Sequence, residues 1–284
     1  MSIETITVVG TGTMGNGIAG QAALSGYKVN LYDISEEKLK AALELIDKTY
    51  KKGVSKGKVE ASAVEAAKGR LMIKSCLEDA LKTADLVIEA VPENMGLKTE
   101  LFATFEKYGG PHLIMASNTS SLSITEIASA VSRPEAVVGM HFFNPVAIMP
   151  LVELVRGEYT SDKTLKATRS VAEQMKKECI EVNDSPGFAT SRLGIALGNE
   201  AMRMFEEGVA SAADIDKAMA LGYRHPIGPL ALTDLVGLDV RLAISEHLYR
   251  EIGSDTFRPP RILRKMVRAG KLGRKVGRGF YDYS

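Results

Sequence analysis

Residues 6–33 read as a strand, a glycine turn, a helix and a second strand ending in an acid, and no other stretch narrows the fold as much. Ile6-Thr7-Val8-Val9 is a short apolar, β-branched run of the kind that forms a buried strand. It leads into Gly10-Thr11-Gly12-Thr13-Met14-Gly15, then a helical pattern through Ile18, Ala22 and Leu24 closed by Gly26, then a strand from Lys28 to Tyr32 followed by Asp33. A GxGxxG hexapeptide alone is weak evidence. Set between these elements within about thirty residues, it reads as a dinucleotide cradle. Gly10 and Gly12 let the backbone turn tightly and approach a pyrophosphate, and Gly15 permits close helix–strand packing. Thr11, Thr13 and Met14 complete the loop, and the helix N-terminus offers N–H groups and positive dipole to the phosphates. Asp33 is placed to accept from the adenosine ribose hydroxyls, and its charge repels a 2′-phosphate, which favours NAD over NADP. The plainer reading, a flexible glycine turn with a solvent-facing Asp, leaves the coincidence of five features unexplained.

Further strands are expected at Leu71–Ile73, Asp85–Val91, Leu113–Ser117, Ala136–Met140, around Leu151–Val155 and at Cys179–Val182. Helical patterns over about 36–52, 60–68, 96–107 and 124–131 separate the earlier ones, and alternation of this kind makes an open α/β sheet with ligands at the carboxyl ends of its strands. The predicted fold class is α/β, a Rossmann-type mostly parallel sheet over residues 1–184. Asn183-Asp184-Ser185-Pro186-Gly187 is a turn and the expected boundary. Strand signals vanish beyond it. Helices are expected from Phe188 to Glu206 (Leu193, Leu197, Ala201 and Met204 at helical spacing), from Ser211 to Gly222, and as one long element through Leu232, Leu235, Leu238 and Leu242 towards Tyr249. A last one should run from Pro259-Pro260 to Gly270. Residues 185–284 thus form a smaller all-helical domain, whose apolar stripes serve either an internal core or a second copy of the chain.

Glu93, Lys98, Asn118, Ser120 and His141 fall at or just past predicted strand ends, where they describe a polar pocket facing the cofactor; taken singly, each is also an ordinary turn or cap residue. Met140-His141-Phe142-Phe143-Asn144-Pro145 is followed by Glu153 in Pro150-Leu151-Val152-Glu153-Leu154. If the flanking apolar runs are neighbouring strands joined by the loop Asn144–Met149, an imidazole and a carboxylate stand side by side, which is what a general base needs. The alternative is a core histidine bonded to a backbone carbonyl, with Glu153 at a solvated strand edge. Lys48, Lys51, Lys52, Lys56 and Lys58 form a local basic cluster, either a solvated helical face or a landing site for the phosphates of a bulky anionic carrier.

Composition bounds the rest. Lysine plus arginine total 36 against 35 acids, and with no Trp and no basic stripe interleaved with aromatics nothing points to nucleic acid. Two cysteines, Cys76 and Cys179, are too few for a disulfide framework and match no metal-ligand spacing, so no metal is expected. No apolar run approaches a membrane span, no export signal is visible at the N-terminus, and a cytoplasmic, reducing setting is the simplest expectation.

The glycine opening, Glu89-Ala90-Val91-Pro92-Glu93-Asn94, Ser117-Asn118-Thr119-Ser120-Ser121-Leu122 and His141-Phe142-Phe143-Asn144-Pro145 resemble the short-chain L-3-hydroxyacyl-CoA dehydrogenases, and among them the bacterial 3-hydroxybutyryl-CoA dehydrogenases. The resemblance continues through Asn183–Phe188, Asp214–Met219, His225–Leu230 and Gly277–Tyr281, over essentially the whole chain. It implies NAD-linked interconversion of an (S)-3-hydroxyacyl-CoA and the 3-ketoacyl-CoA. It implies His141 as base, Glu153 as its partner, Ser120 on the reacting oxygen, and Asn144 beside the nicotinamide or the substrate carbonyl region. It also implies Glu93, Lys98 and Lys275 near the cofactor, and a homodimer through the helical domain. The substrate side takes in Ser120 and Ser191, with Lys51, Lys52 and Lys56 added if the basic cluster receives the phosphates of CoA. Ser191 stands where the family uses Asn; it keeps a hydroxyl donor but is shorter and lacks the amide. Two rivals stand beside this reading, a gulonate-type sugar-acid dehydrogenase and a non-catalytic, crystallin-like NAD-binding protein.

Overall fold

The structure, a computed structural model, describes residues 3–283. The chain divides into two compact units, Met1–Asp184 and Ser185–Ser284.

The first unit runs β1 (Thr5–Val9), α1 (Thr13–Leu24), β2 (Lys28–Tyr32), α2 (Glu36–Ser55), α3 (Ala61–Lys68), β3 (Leu71–Ile73), α4 (Leu77–Leu81), β4 (Leu86–Glu89), α5 (Met95–Tyr108) and β5 (Ile114–Ser117). It continues through α6 (Ile124–Ala128), β6 (Val137–Phe142), β7 (Leu151–Arg156), α7 (Asp162–Gln174) and β8 (Glu178–Asn183). The strands form one eight-stranded sheet in the order β3-β2-β1-β4-β5-β6-β7-β8. Every neighbouring pair is parallel except β6–β7, which is antiparallel. The reversal at β2-β1-β4 is the switch point expected of a Rossmann-type sheet.

Alternation along the strands covers both faces of this sheet. Ile6, Val8, Val29 and Leu31 pack with Ile18, Ala22 and Ala23 of α1. Thr7 Oγ1 and Asn30 Nδ2, on the opposite side, donate to the Ala80 carbonyl of α4 at 2.6 and 2.9 Å. Helix starts follow their caps. Ser35 accepts from Lys38 N with Glu36 and Glu37 in the first turn of α2, and Asn94 accepts from Leu97 N at the start of α5.

Two helices of this unit were not expected. The inward face of α7 is Thr164, Leu165, Thr168, Val171 and Ala172, so two threonines dilute its apolar period; the usable signal was Ser161, which caps the helix by accepting from Thr164 N. The five-residue α4 is too short to display a period. The predicted strand Asp85–Val91 is regular over Leu86–Glu89, with Asp85 N and Ala90 N still donating to the Thr5 and Val9 carbonyls at 2.9 and 2.8 Å.

The second unit is α8 (Thr190–Glu206), α9 (Ala212–Gly222), α10 (Pro229–Val236), α11 (Leu238–Ile252) and α12 (Arg261–Arg268). Its main core joins Ala201, Met202, Ile215, Leu230, Leu238, Leu263 and Met266. The long helix expected through Leu232 and Tyr249 is two helices. Gly237 ends α10 and starts α11 at φ +103°, a conformation that L side chains rarely adopt and that breaks the helical path. The stripe expected on α8 is partly displaced: Ala201 is buried as expected, but Ile195 and Met202 are buried beside it whereas Leu193 is 71% exposed.

Carboxylates close this unit onto residues 280–283. Asp234 accepts from Phe280 N, Tyr281 N and the Tyr283 hydroxyl at 2.9, 2.9 and 3.0 Å. Asp216 accepts from Leu230 N, Ala231 N and the Tyr281 hydroxyl at 2.7, 2.8 and 2.8 Å. Among the described residues no helix is long and apolar enough to cross a membrane.

Candidate active site

The antiparallel pair β6–β7 aligns Gly139 with Val155, Met140 with Leu154, His141 with Glu153 and Phe142 with Val152. Directly opposite residues have Cβ atoms about 5 Å apart, so the register alone brings the imidazole and the carboxylate within reach. His141 Nδ1 lies 2.7 Å from Glu153 Oε2, in the range of a charge-assisted hydrogen bond. Glu153 is not at a solvated edge: β7 lies between β6 and β8, and the residue is 0% exposed. His141 is 7% exposed and its ring sits 4.4 Å from that of Phe143. A buried carboxylate on Nδ1 fixes the tautomer and favours the imidazolium when Nε2 takes a proton.

The loop after β5 is tied to this pair, since Asn118 Oδ1 accepts from Phe142 N at 2.9 Å. The same loop presents Ser120, whose backbone N donates to Glu93 Oε1 at 3.0 Å while Thr119 Oγ1 donates to that oxygen at 2.5 Å. Asn144 is exposed in the β6–β7 connection. That connection is anchored at its middle. Val146 packs on Gly17 of α1, and the Lys177 ammonium donates to the carbonyls of Val146 and Met149, the latter at 2.9 Å. Lys177 is 7% exposed, and burial pulls its pKa below the ordinary lysine value.

At the glycine turn the three glycines do different things. A Cβ on Gly10 (φ +88°) would lie 2.8 Å from the Ala90 carbonyl oxygen, and one on Gly15 would lie 1.8 Å from the Gly10 carbonyl oxygen. Gly12 is different, with nothing within 4 Å of its would-be Cβ. It is the N-cap of α1, and no side chain caps that helix at Thr13 and Met14. Open space over an uncapped helix N-terminus fits a pyrophosphate. Asp33 stands beside it, its Oδ2 accepting from Thr11 N and Thr11 Oγ1 at 2.8 and 3.1 Å.

Lys98, expected beside the cofactor, is 1% exposed, with its Nζ 2.6 Å from Glu89 Oε1 and 3.4 Å from Glu93 Oε2. Glu89 lies inside the expected strand Asp85–Val91, yet no site role was read for it, because a single acid in an apolar run does not reveal its partner. The missed signal was its place inside the run Leu86-Val87-Ile88-Glu89-Ala90-Val91, apolar on both sides. Lys177 was missed because Lys176-Lys177 looks like an ordinary surface pair.

The basic cluster lies on and just beyond α2, where Lys48, Lys52, Lys56 and Lys58 are exposed and Lys51 is paired with Asp47 at 2.6 Å. In the second unit, Ser191 is half-buried in the first turn of α8. Lys275 Nζ bridges both carboxylate oxygens of Asp239 at 2.5 and 2.6 Å. Burial acts to raise the Asp239 pKa, but the Lys275 hydrogen bond and the backbone N–H of Val240 outweigh it and hold the carboxyl below its usual range.

Two family models cover this chain: the NAD-binding domain of 3-hydroxyacyl-CoA dehydrogenase over residues 5–185, and the C-terminal domain of 3-hydroxyacyl-CoA dehydrogenase over residues 187–283. A probable 3-hydroxybutyryl-CoA dehydrogenase of Bacillus subtilis is 48% identical over 283 residues, 100% of this chain and 98% of the relative. The 3-hydroxybutyryl-CoA dehydrogenase of Clostridioides difficile is 44% identical, over 98% and 99% of the two chains. The crystal structure of (S)-3-hydroxybutyryl-CoA dehydrogenase from Ralstonia eutropha superposes with a TM-score of 0.96 at 44% identity, covering 100% of both chains.

Proposed function

Because the chain belongs to the 3-hydroxyacyl-CoA dehydrogenase family and is an NAD-dependent oxidoreductase, we propose that it interconverts (S)-3-hydroxybutyryl-CoA and acetoacetyl-CoA through a proton path made of His141 and Glu153. The observation that carries the proton path is the 2.7 Å contact between His141 Nδ1 and the fully buried Glu153 carboxylate. NAD, when bound, supplies the hydride acceptor.

In the oxidative direction His141 Nε2 removes the 3-hydroxyl proton, and in the reductive direction the imidazolium returns it to the ketone oxygen. Glu153 stabilises that imidazolium and holds the ring in one tautomer. Ser120 is the hydrogen-bond partner of the reacting oxygen, and Asn144 places the nicotinamide or the thioester region of the substrate. Gly10, Gly12 and Gly15 with Thr11, Thr13 and Met14 form the pyrophosphate cradle, and Asp33 takes the ribose hydroxyls. Glu93 contacts the nicotinamide half, with Lys98 acting behind it; Lys275 is assigned to the cofactor and Ser191 to the substrate. Exposed Lys52 and Lys56, with Lys51 beside them, offer charge to the phosphates of CoA.

A homodimer through the helical unit completes the proposal. Its support is apolar surface, since Leu193, Leu221 and Tyr223 are 71%, 72% and 75% exposed. The free thiols of Cys76 and Cys179 accord with a cytoplasmic setting. The test of function is loss of NADH absorbance on mixing the protein with acetoacetyl-CoA. Rapid loss is the expected result. Binding of NADH with no turnover on this substrate would overturn the substrate assignment.

A further inference from the structure

A carboxylate with no exposure at all stands behind the Ser120 loop. Glu89, the last residue of β4, is 0% exposed and register partner of Ser117 in β5. Its Oε1 accepts from Lys98 Nζ at 2.6 Å and from Val91 N at 2.7 Å, and its Oε2 accepts from Ser117 Oγ at 2.7 Å. Two routes lead from it to the loop. Through Lys98 it reaches Glu93, whose Oε1 gathers Thr119 Oγ1, Ser120 N, Ser120 Oγ and Ser121 Oγ at 2.5, 3.0, 3.4 and 3.4 Å. Through Ser117 it reaches the Thr119 backbone, whose N donates to Ser117 Oγ at 3.2 Å.

Burying an ammonium and a carboxylate together costs desolvation that well-packed neutral side chains avoid, so such a pair is weak evidence for stability. What it does supply is geometry. The ammonium of Lys98 faces two carboxylates, Glu89 inside and Glu93 at the surface, and the inner one decides how much of that charge is left for the outer one. Lys98 is held by its shorter contact, 2.6 Å to Glu89 against 3.4 Å to Glu93 Oε2, and Glu93 Oε1 is left to the loop donors.

We propose that Glu89 is a positioning residue. Acting through Lys98 and Ser117, it fixes the Glu93 carboxylate and the Thr119–Ser121 turn in the geometry that receives the nicotinamide half of the cofactor and presents Ser120. The inference rests on the cofactor and Ser120 assignments above.

The test compares wild type with Glu89→Gln, Lys98→Met and the double variant Glu89→Gln/Lys98→Met. Thermal midpoint, NADH affinity by fluorescence titration, and kcat and KM with acetoacetyl-CoA are read for each. The double variant carries no orphaned charge and is expected to melt at or above the wild-type temperature. Its Kd and KM for NADH are expected to rise at least about tenfold, with kcat falling less. The two single variants should not add, because they interrupt one chain. A folded double variant with NADH affinity and kcat/KM within about twofold of wild type would overturn the proposal, as would a double variant that cannot fold, since the pair would then be structural. If wild type fails to turn over acetoacetyl-CoA yet the variants still lose NADH affinity, the positioning role stands and the substrate reading fails.

Discussion

His141 and Glu153 are register partners across the antiparallel junction of an otherwise parallel sheet, with Nδ1 and Oε2 2.7 Å apart. Their separation is set by strand pairing and does not depend on how the loop between them is folded.

Replacing either partner tests the proton path. His141→Ala is expected to lower kcat at least about 100-fold while NADH affinity stays within about twofold. Glu153→Gln keeps the shape but removes the carboxylate that holds Nδ1, so it should lower kcat at least about tenfold while NADH affinity stays within about twofold. A Glu153→Gln kcat equal to wild type would separate Glu153 from the chemistry.

The three glycines give a sharper pair of substitutions. Gly15→Ala places a methyl 1.8 Å from a backbone oxygen and should cost about 4 kcal/mol or more of stability. Gly12→Ala meets no protein atom within 4 Å, so its stability cost should stay near 1 kcal/mol while the Kd for NADH rises at least about tenfold. Unchanged NADH binding in Gly12→Ala would remove the pyrophosphate from that space.

Asp33 makes a cofactor prediction. Wild type should prefer NADH over NADPH by about 100-fold or more in kcat/KM, equivalent to about 2.7 kcal/mol. Asp33→Asn keeps an oxygen for Thr11 N but loses the charge, and is expected to reduce that preference at least about tenfold. Equal use of both cofactors by wild type would refute the charge argument.

Lys177 predicts a dependence on alkaline pH. Lys177→Met leaves two loop carbonyls without their donor and should cost about 1–3 kcal/mol near neutral pH. Because burial depresses the folded-state pKa, the unfolded chain binds the proton more tightly between that depressed value and the ordinary 10.5. Wild type therefore gains stability relative to Lys177→Met as pH rises through this window. Melting curves of both proteins at pH 7 and pH 10 check the sign; a gap that shrinks at pH 10 would contradict it.

Much of the first unit was legible because its signals are local. Val8 and Val9 before Gly10, and Asp33 after Tyr32, are read within a few residues, and β2 and β3 occupy the ranges expected. The neighbourhood of His141 and Glu153 was legible for a related reason, since two short apolar runs joined by a short loop have few ways to pair. Glu89 and Lys98 were not, because a charge shows its burial only when the element covering it is known. Gly237 was passed over because the leucines on either side keep helical spacing across it, and spacing carries no information about φ. The inward threonines of α7 hid a helix that its serine cap announces.

The ties from Asp216 and Asp234 to residues 280–283 order events during synthesis. The sheet has all its strands once residue 183 has been made, so the cofactor cradle can close while translation continues. At about 5–20 residues per second, the following 100 residues take roughly 5–20 s. The helical unit has no such head start, because the backbone donors that satisfy Asp234 belong to Phe280 and Tyr281. Until residue 281 has cleared the ribosome those ties cannot form, and short segments such as α10 and α12, of 8 residues each, are marginal as helices without their packing.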